Sequence, residues 1–406
     1  MGIISNNSKN HRGLDGIDSI VLQGSVPFGN FLHDLEVLGV LPSRNADCEF
    51  GVISARSNER YWLLPLRSKS SAVAGLALFQ PVSPSAAFAK AAATLAIRAG
   101  LTRIWLRKRV RLTCTTIKGN WFAKPVVDVA FFTGTAGPHR KTTIEFIGGK
   151  GQILGFAKMS QEPHIAQFIR NEASTLRQLA FLGLSKTLFP KCLDFSDSGT
   201  HAILVTDSLK AGGSVSPTQM GEEHREFIVE IAEKTRHKAD KDLRNDLISR
   251  LRYAAIGSSS DWQARFQLGV DILQDPTNTI LVGLSHGDFT PWNCCIVDKR
   301  LYVFDWEYAD PKMPLGYDTM KFLSATQGTG APTRTCNAFV SENAKLLFEG
   351  NRNMARMHGF LALLLHSAFY IERVRVQGLD MTDWREHAQF SELIDVLHGI
   401  KDSEYV

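Results

Sequence analysis

His286-Gly287-Asp288-Phe289-Thr290-Pro291-Trp292-Asn293, with Asp305-Trp306-Glu307 starting twelve residues after its asparagine, is the stretch that organises the rest of the chain. Between the two clusters, Cys294 to Val297 and Leu301 to Phe304 are apolar runs flanking Asp298-Lys299-Arg300. That layout predicts a hairpin with a three-residue loop. Pairing Val297 with Leu301 sets Asn293 opposite Asp305, and directly opposed residues have Cβ atoms roughly 4.5–5.5 Å apart. An amide oxygen and a carboxylate oxygen then converge on one spot, both hard ligands suited to a cation such as Mg²⁺.

Upstream, Val126 to Phe132, Lys141 to Ile147 and Gln152 to Lys158 read as three strands, split by glycine-rich turns. The first turn holds Gly134, Thr135 and Gly137, whose backbone N–H groups are placed to cradle phosphates. A hairpin needs glycine there in any case. A helix opens near Pro163, the residue type favoured at the first helical position, and runs to about Leu182. Ile165, Ile169, Leu176 and Leu179 form one apolar stripe along it, and Glu172 falls on the same stripe. A carboxylate facing a core is costly unless a cation pairs with it, and Lys158 at the end of the third strand is the expected partner. The alternative is a solvated Glu172 at the stripe's edge. Lys191 to Phe195 and His201 to Thr206 complete five strands. Beyond residue 211, helical patterns dominate, among them Glu222 to Ala254 and Met354 to Val376.

The pattern His-x-Asp-x-x-x-x-Asn followed by Asp-Trp-Glu resembles the aminoglycoside phosphotransferase/choline kinase family, and Tyr317-Asp318 resembles a pair often found after that motif. The resemblance covers roughly residues 127–325. It implies an α+β, protein-kinase-like two-lobed fold: a five-stranded antiparallel N-lobe with one helix (116–210), a mainly helical C-lobe (211–406), and an N-terminal α/β extension (1–115). It further implies transfer of the γ-phosphate of ATP or GTP to a small-molecule hydroxyl. In that picture Asp288 is the base, Asn293 and Asp305 hold Mg²⁺, and Lys158, paired with Glu172, sits on the phosphates. Asp207-Ser208-Leu209 falls at the hinge whose backbone meets the base. Three departures separate the chain from protein kinases: Asp-Trp-Glu in place of Asp-Phe-Gly, no His-Arg-Asp, and no Ala-Pro-Glu. A sugar, an amino alcohol or an aminoglycoside are the expected acceptors. A divergent protein kinase and an inactive binding module are the rival readings.

Composition sets the outer bounds. Six scattered cysteines without a Cys-x-x-Cys pair argue against a disulfide framework or a structural zinc site. The opening residues lack the layout of a signal peptide, and Phe88 to Leu106 is interrupted by Lys90, Arg98 and Arg103, so a cytoplasmic protein is expected. Net charge is uneven, +7 over residues 1–115 and −2 over the rest, although the total is only +5. The basic part is expected as a helix from about Ser85 to Arg111, packed against the small lobe with a solvated basic face or else able to meet a membrane surface or a protein, and no nucleic-acid partner is expected.

Overall fold

The computed structural model describes residues 26–399, apart from 44–45, 55–59, 80–83, 115–116, 118, 135–139, 211–213, 215, 328–330, 377, 379–383 and 385. The chain divides into two compact units, one formed by residues 1–169 and 192–213, the other by 170–191 and 214–406. In chain order the elements are α1 (Val26–Val37), β1 (Cys48–Ser54), β2 (Tyr61–Pro65), α2 (Lys69–Gly75), α3 (Pro84–Arg98), α4 (Thr102–Trp105), β3 (Arg109–Leu112), β4 (Asp128–Phe132), β5 (Thr142–Ile147), β6 (Ile153–Ser160) and α5 (Pro163–Phe181). There follow β7 (Thr187–Leu188), β8 (Cys192–Asp197), β9 (Ala202–Asp207), α6 (Glu222–Thr235), β10 (His237–Lys238), α7 (Lys241–Ala255), α8 (Ser260–Gln274), β11 (Leu281–Ser285), β12 (Cys294–Val297), β13 (Arg300–Val303) and β14 (Asp310–Pro314). Four helices close the chain: α9 (Tyr317–Gln327), α10 (Pro332–Leu347), α11 (Arg352–Val376) and α12 (His387–Gly399).

The fold is α+β. The first unit is built on one antiparallel sheet, but it has eight strands in the order β3-β1-β2-β4-β5-β6-β9-β8, not the five expected. The five expected strands are present as a contiguous part of it, β4-β5-β6-β9-β8. The other three come from the N-terminal extension, joined by Trp62↔Phe132 and Leu63↔Phe131 between β2 and β4. That junction links residues some seventy positions apart, which no local pattern reports. Its consequence is that β4 is not an edge strand. One face of the sheet carries a core of Phe50, Val129, Phe131, Ile144 and Phe146, closed by Phe31 and Leu35 of α1. Phe50 meets Phe131 edge-on at a ring distance of 5.3 Å. Removing residues 1–112 would bare both the β4 edge and this core, so the truncated chain should aggregate on expression. Soluble, monodisperse truncated protein by size-exclusion chromatography would make the extension a true appendage.

The opposite face holds Ala130, Ile147 and, between them in register, Glu145. Glu145 is fully buried, neither carboxylate oxygen has a hydrogen-bond partner, and burial pushes its pKa up to about 8 against the partial relief of Lys210 and Lys90. The folded state therefore holds this proton more tightly than the unfolded chain, whose ordinary value is 4.5. Stability from this group is intact below the unfolded value and falls as pH rises toward 8. Glu145→Gln should match the parent near pH 5 and exceed it near pH 8.5. The gap should be on the order of 4 kcal/mol, since each pH unit between pH 5 and the folded value is worth about 1.4 kcal/mol. Urea midpoints at the two pH values check this; parallel curves would discard it.

The continuous basic helix expected over Ser85–Arg111 is broken. Helix α3 ends at Arg98, Gly100 turns the chain at φ +85°, α4 is a single turn, and Arg109–Leu112 pairs with β1 as a strand.

The second unit is mainly helical, with two small three-stranded sheets, β10-β11-β14 and β12-β13-β7. The long helix expected over Glu222–Ala254 is two helices. Arg236 adopts an extended conformation and His237–Lys238 pairs with β11, after which Asp240 caps α7 by accepting from the Leu243 N–H at 2.8 Å. The α5 stripe is as expected from spacing: Ile165, Ile169, Glu172, Leu176 and Leu179 are all buried.

Candidate active site

The β12–β13 hairpin forms, with a register one residue away from the expected one. Val297 pairs with Arg300 rather than Leu301, because Asp298 and Lys299 both take positive φ (48° and 61°) and close a two-residue turn. Asn293 therefore faces Phe304, whose N–H donates to the Asn293 carbonyl at 3.0 Å. Asp305 lies just beyond the strand in the left-handed region at φ 72°. Convergence of Asn293 and Asp305 cannot be derived from strand pairing.

The loop before the hairpin is held by buried polar contacts. Asp318, in the first turn of α9, accepts from Ser285 Oγ and the His286 N–H at 2.8 Å each, and from the Gly287 N–H at 3.2 Å. His286 is fully buried; its Nδ1 accepts from the Asp288 N–H at 3.2 Å, which leaves Nε2 to donate to the Phe304 carbonyl at 3.0 Å. The imidazole is a strut between loop and hairpin. Gly287 sits at φ +81°, and a Cβ there would stand 2.1 Å from the Tyr308 carbonyl oxygen, so no other residue fits.

These contacts present Asp288. Asn293 Nδ2 donates to Asp288 Oδ2 at 2.8 Å and to the Asp288 carbonyl at 2.9 Å. On the other oxygen, Lys321 Nζ of α9 lies 3.4 Å from Oδ1. Lys321 is 3% exposed, reaches Glu386 at 3.0 Å as well, and stands over the Phe390 ring. Burial pushes the Asp288 carboxyl up to about 6; Lys321 opposes that rise, while Asp305 and Glu386 add to it. Burial alone would discharge Lys321, but Asp288 and Glu386 raise its pKa, so the lysine stays charged. At neutral pH the pair is ionic, with the Asp288 side chain still 22% exposed.

A second cluster adjoins through Asp305. Ligand oxygens of Glu172, Asp305 and Glu307 all lie within 4.8 Å of one another, and Glu172 and Glu307 are buried. Asn171 explains why they meet: its Nδ2 donates to the carbonyls of Glu307 and Ala309, both at 2.9 Å, tying the Trp306–Ala309 turn to α5. Three carboxylates so close fit a hard cation with oxygen ligands. Glu172 thus has Asp305 and Glu307 as neighbours, whatever its relation to Lys158.

The remaining expected residues belong to the first unit. Lys158 lies on β6 between Thr143 and Leu204, half-buried, and Asp207 ends β9 opposite Gly155. Gly134 follows β4 at φ +82°, where a Cβ would stand 2.6 Å from the Lys141 carbonyl oxygen. Thr135 and Gly137 lie outside the described residues. Sequence reasoning missed Lys321, Glu386, Asn171 and Glu307 as site residues. Only Glu307 offered a local signal, as the third member of Asp-Trp-Glu.

In structure the chain is similar to aminoglycoside phosphotransferases. A thermostable mutant of one such enzyme, in ternary complex with ADP and hygromycin B, shares 13% identity over 68% of this chain and 96% of its own, with a TM-score of 0.44. A spectinomycin phosphotransferase in complex with ADP and spectinomycin shares 11% over 68% and 94%, with a TM-score of 0.38. A choline/ethanolamine kinase family protein from Mesorhizobium loti shares 16% over 64% and 87%, with a TM-score of 0.42. No protein-family model matches the chain, and no curated protein matches it in sequence. Among the described residues, no helix is long and apolar enough to cross a membrane.

Proposed function

We propose that this protein is a phosphotransferase that moves the γ-phosphate of ATP or GTP to a hydroxyl of a small molecule. The observation that carries the reading is the presentation of Asp288. Its two oxygens are fixed by Asn293 on one side and Lys321 on the other, in a loop pinned by Asp318 and His286. A carboxylate so oriented accepts the acceptor's hydroxyl proton as that oxygen bonds to the γ-phosphorus and the bond to the β–γ bridging oxygen breaks, releasing the nucleoside diphosphate.

The carboxylates of Asp305, Glu172 and Glu307, together with the Asn293 amide oxygen, are the groups that would hold Mg²⁺. When bound, the ion supplies neutralisation of charge on the terminal phosphates. Lys158 is assigned to the nucleotide phosphates, with Gly134, Thr135 and Gly137 as the turn above them and Asp207 at the base. In this reading Lys321 shares the Asp288 charge with Glu386 and keeps the base aimed, a positioning role. The acceptor is a sugar, an amino alcohol or an aminoglycoside. Nucleotide consumption screened against a library of these compounds is the test, with Asp288→Asn as control. Turnover with one acceptor that vanishes in the variant supports the reading; phosphate appearing only in added protein substrates would replace it.

A further inference from the structure

Helices α3 and α4, on either side of the turn at Gly100, carry large apolar side chains exposed to solvent, called here the α3–α4 ridge. Phe88 is 77% exposed, Leu95 70%, Ile104 67% and Trp105 44%, while the opposite side of α3 is seated in the unit through Ala93 and Ile97, which are buried. Large apolar side chains at such exposures are ordinary when scattered, but these follow one another along a single stretch of eighteen residues. The local sequence is one-sided in charge, with Glu49 of β1 as the acidic group that reaches it from outside. From Arg60 to Val127 the sequence holds twelve lysines and arginines and no aspartate or glutamate. Arg98, Arg107 and Lys108 are exposed beside the ridge. Arg103 is engaged by Glu49 at 3.0 Å, and Arg109 and Arg111 lie within 4.0 Å of the same carboxylate, whereas the ion pairs to Glu49 do not include Arg98, Arg107 or Lys108.

We propose that the α3–α4 ridge seats on an anionic lipid surface, with Phe88, Leu95, Ile104 and Trp105 entering the headgroup–acyl boundary and Arg98, Arg107 and Lys108 on the lipid phosphates. Phe, Leu and Ile side chains alone would suit any apolar partner. A tryptophan and three cations around them, with no carboxylate on the stretch to repel phosphate, fit the interface of an anionic bilayer. Nucleic acid would use the same cations but has no place for four exposed apolar side chains on one ridge. The mode is surface seating, not spanning. The inference does not depend on the proposed phosphoryl transfer, since the ridge and the Asp288 site share no residue.

The test is flotation of the full chain with vesicles of phosphatidylcholine alone or with 30% phosphatidylserine, at low salt. Parent protein should float with the anionic vesicles and not with the neutral ones. Leu95→Glu with Ile104→Glu, both at exposed positions where folding is little affected, should lower the partition at least tenfold. Arg98→Glu with Arg107→Glu should do the same, each basic residue near such a surface contributing about fivefold. A far-ultraviolet circular dichroism match to the parent secures both variants as folded. No binding to anionic vesicles overturns the proposal. So does binding that the Leu95/Ile104 variant retains in full, or binding to a 20-mer DNA or RNA that competes the protein off vesicles and is likewise indifferent to those two substitutions.

Discussion

Asp288→Asn is expected to lower turnover at least about 100-fold, the lower end of what general-base help supplies, while nucleotide affinity stays close to the parent's. The asparagine keeps size and shape but cannot take a proton. It also cannot satisfy both neighbours: Asn293 Nδ2 and Lys321 Nζ each approach an oxygen, and an amide has only one. Whichever way the side chain turns, its NH₂ faces a donor. Asp305→Asn should fail differently. It removes one negative charge where Glu172, Asp305 and Glu307 crowd together, so the loss should fall on Mg²⁺-dependent nucleotide affinity and be partly recovered at high Mg²⁺. Calorimetric titration of ATP with and without Mg²⁺ separates the two variants. An Asp305→Asn protein that bound Mg²⁺–ATP as tightly as the parent would take Asp305 out of the metal site.

What could be read in the sequence was local. His286 to Asn293 and Asp305 to Glu307 lie within twenty-two residues, and their spacing survives any folding of the remainder. The α5 stripe is a periodicity, so the burial of Glu172 followed from counting. The hairpin was legible as a hairpin but not in its register. Asp298-Lys299 carries no glycine, and the positive φ both residues adopt is a preference the sequence expresses weakly. One residue of slip moves Asn293 from Asp305 to Phe304, and that alone removes the geometric argument for a shared ion. The proposed ion site rests instead on the Asn171 contacts that draw α5 to the turn after Trp306.

Contacts between distant segments were out of reach for a physical reason. Pairing of β2 with β4 depends on Trp62 finding Phe132, and neither neighbourhood says which apolar strand will be its partner. Glu145 shows the same limit in reverse. Its place in an alternating strand reads as a solvated position, but α2 and its continuation close over that face, so the carboxylate ends fully buried. The Phe88–Trp105 ridge was legible as basic and apolar, whereas its outward direction required the fold.

Lys321→Met carries the second large effect, on stability as well as turnover. The lysine lies between Asp288 and Glu386, 65 residues before the latter in sequence, and its ammonium reaches both carboxylates. Methionine matches the lysine stem as far as its ε carbon, so the packing of the stem is nearly preserved. What disappears is the charge that lets two carboxylates share a largely buried place. Removing one partner of such a pair costs roughly 3–5 kcal/mol when burial is complete. Glu386 keeps 34% of its side chain in water and Asp288 22%, so the lower end, about 3 kcal/mol, is the expected loss. Adding Glu386→Gln should return part of that stability, because it removes one of the two carboxylates left facing each other. It should not return turnover, since nothing then holds Asp288 Oδ1. Lys321→Arg, which keeps the charge, should retain more of the turnover than Lys321→Met does. Urea midpoints for the parent, both single variants and the double variant measure the coupling, and initial rates with the screened acceptor measure the positioning. Additive stability changes would mean that Lys321 and Glu386 do not act as a pair. Equal rates for Lys321→Met and the parent would leave Asn293 as the group that orients the base.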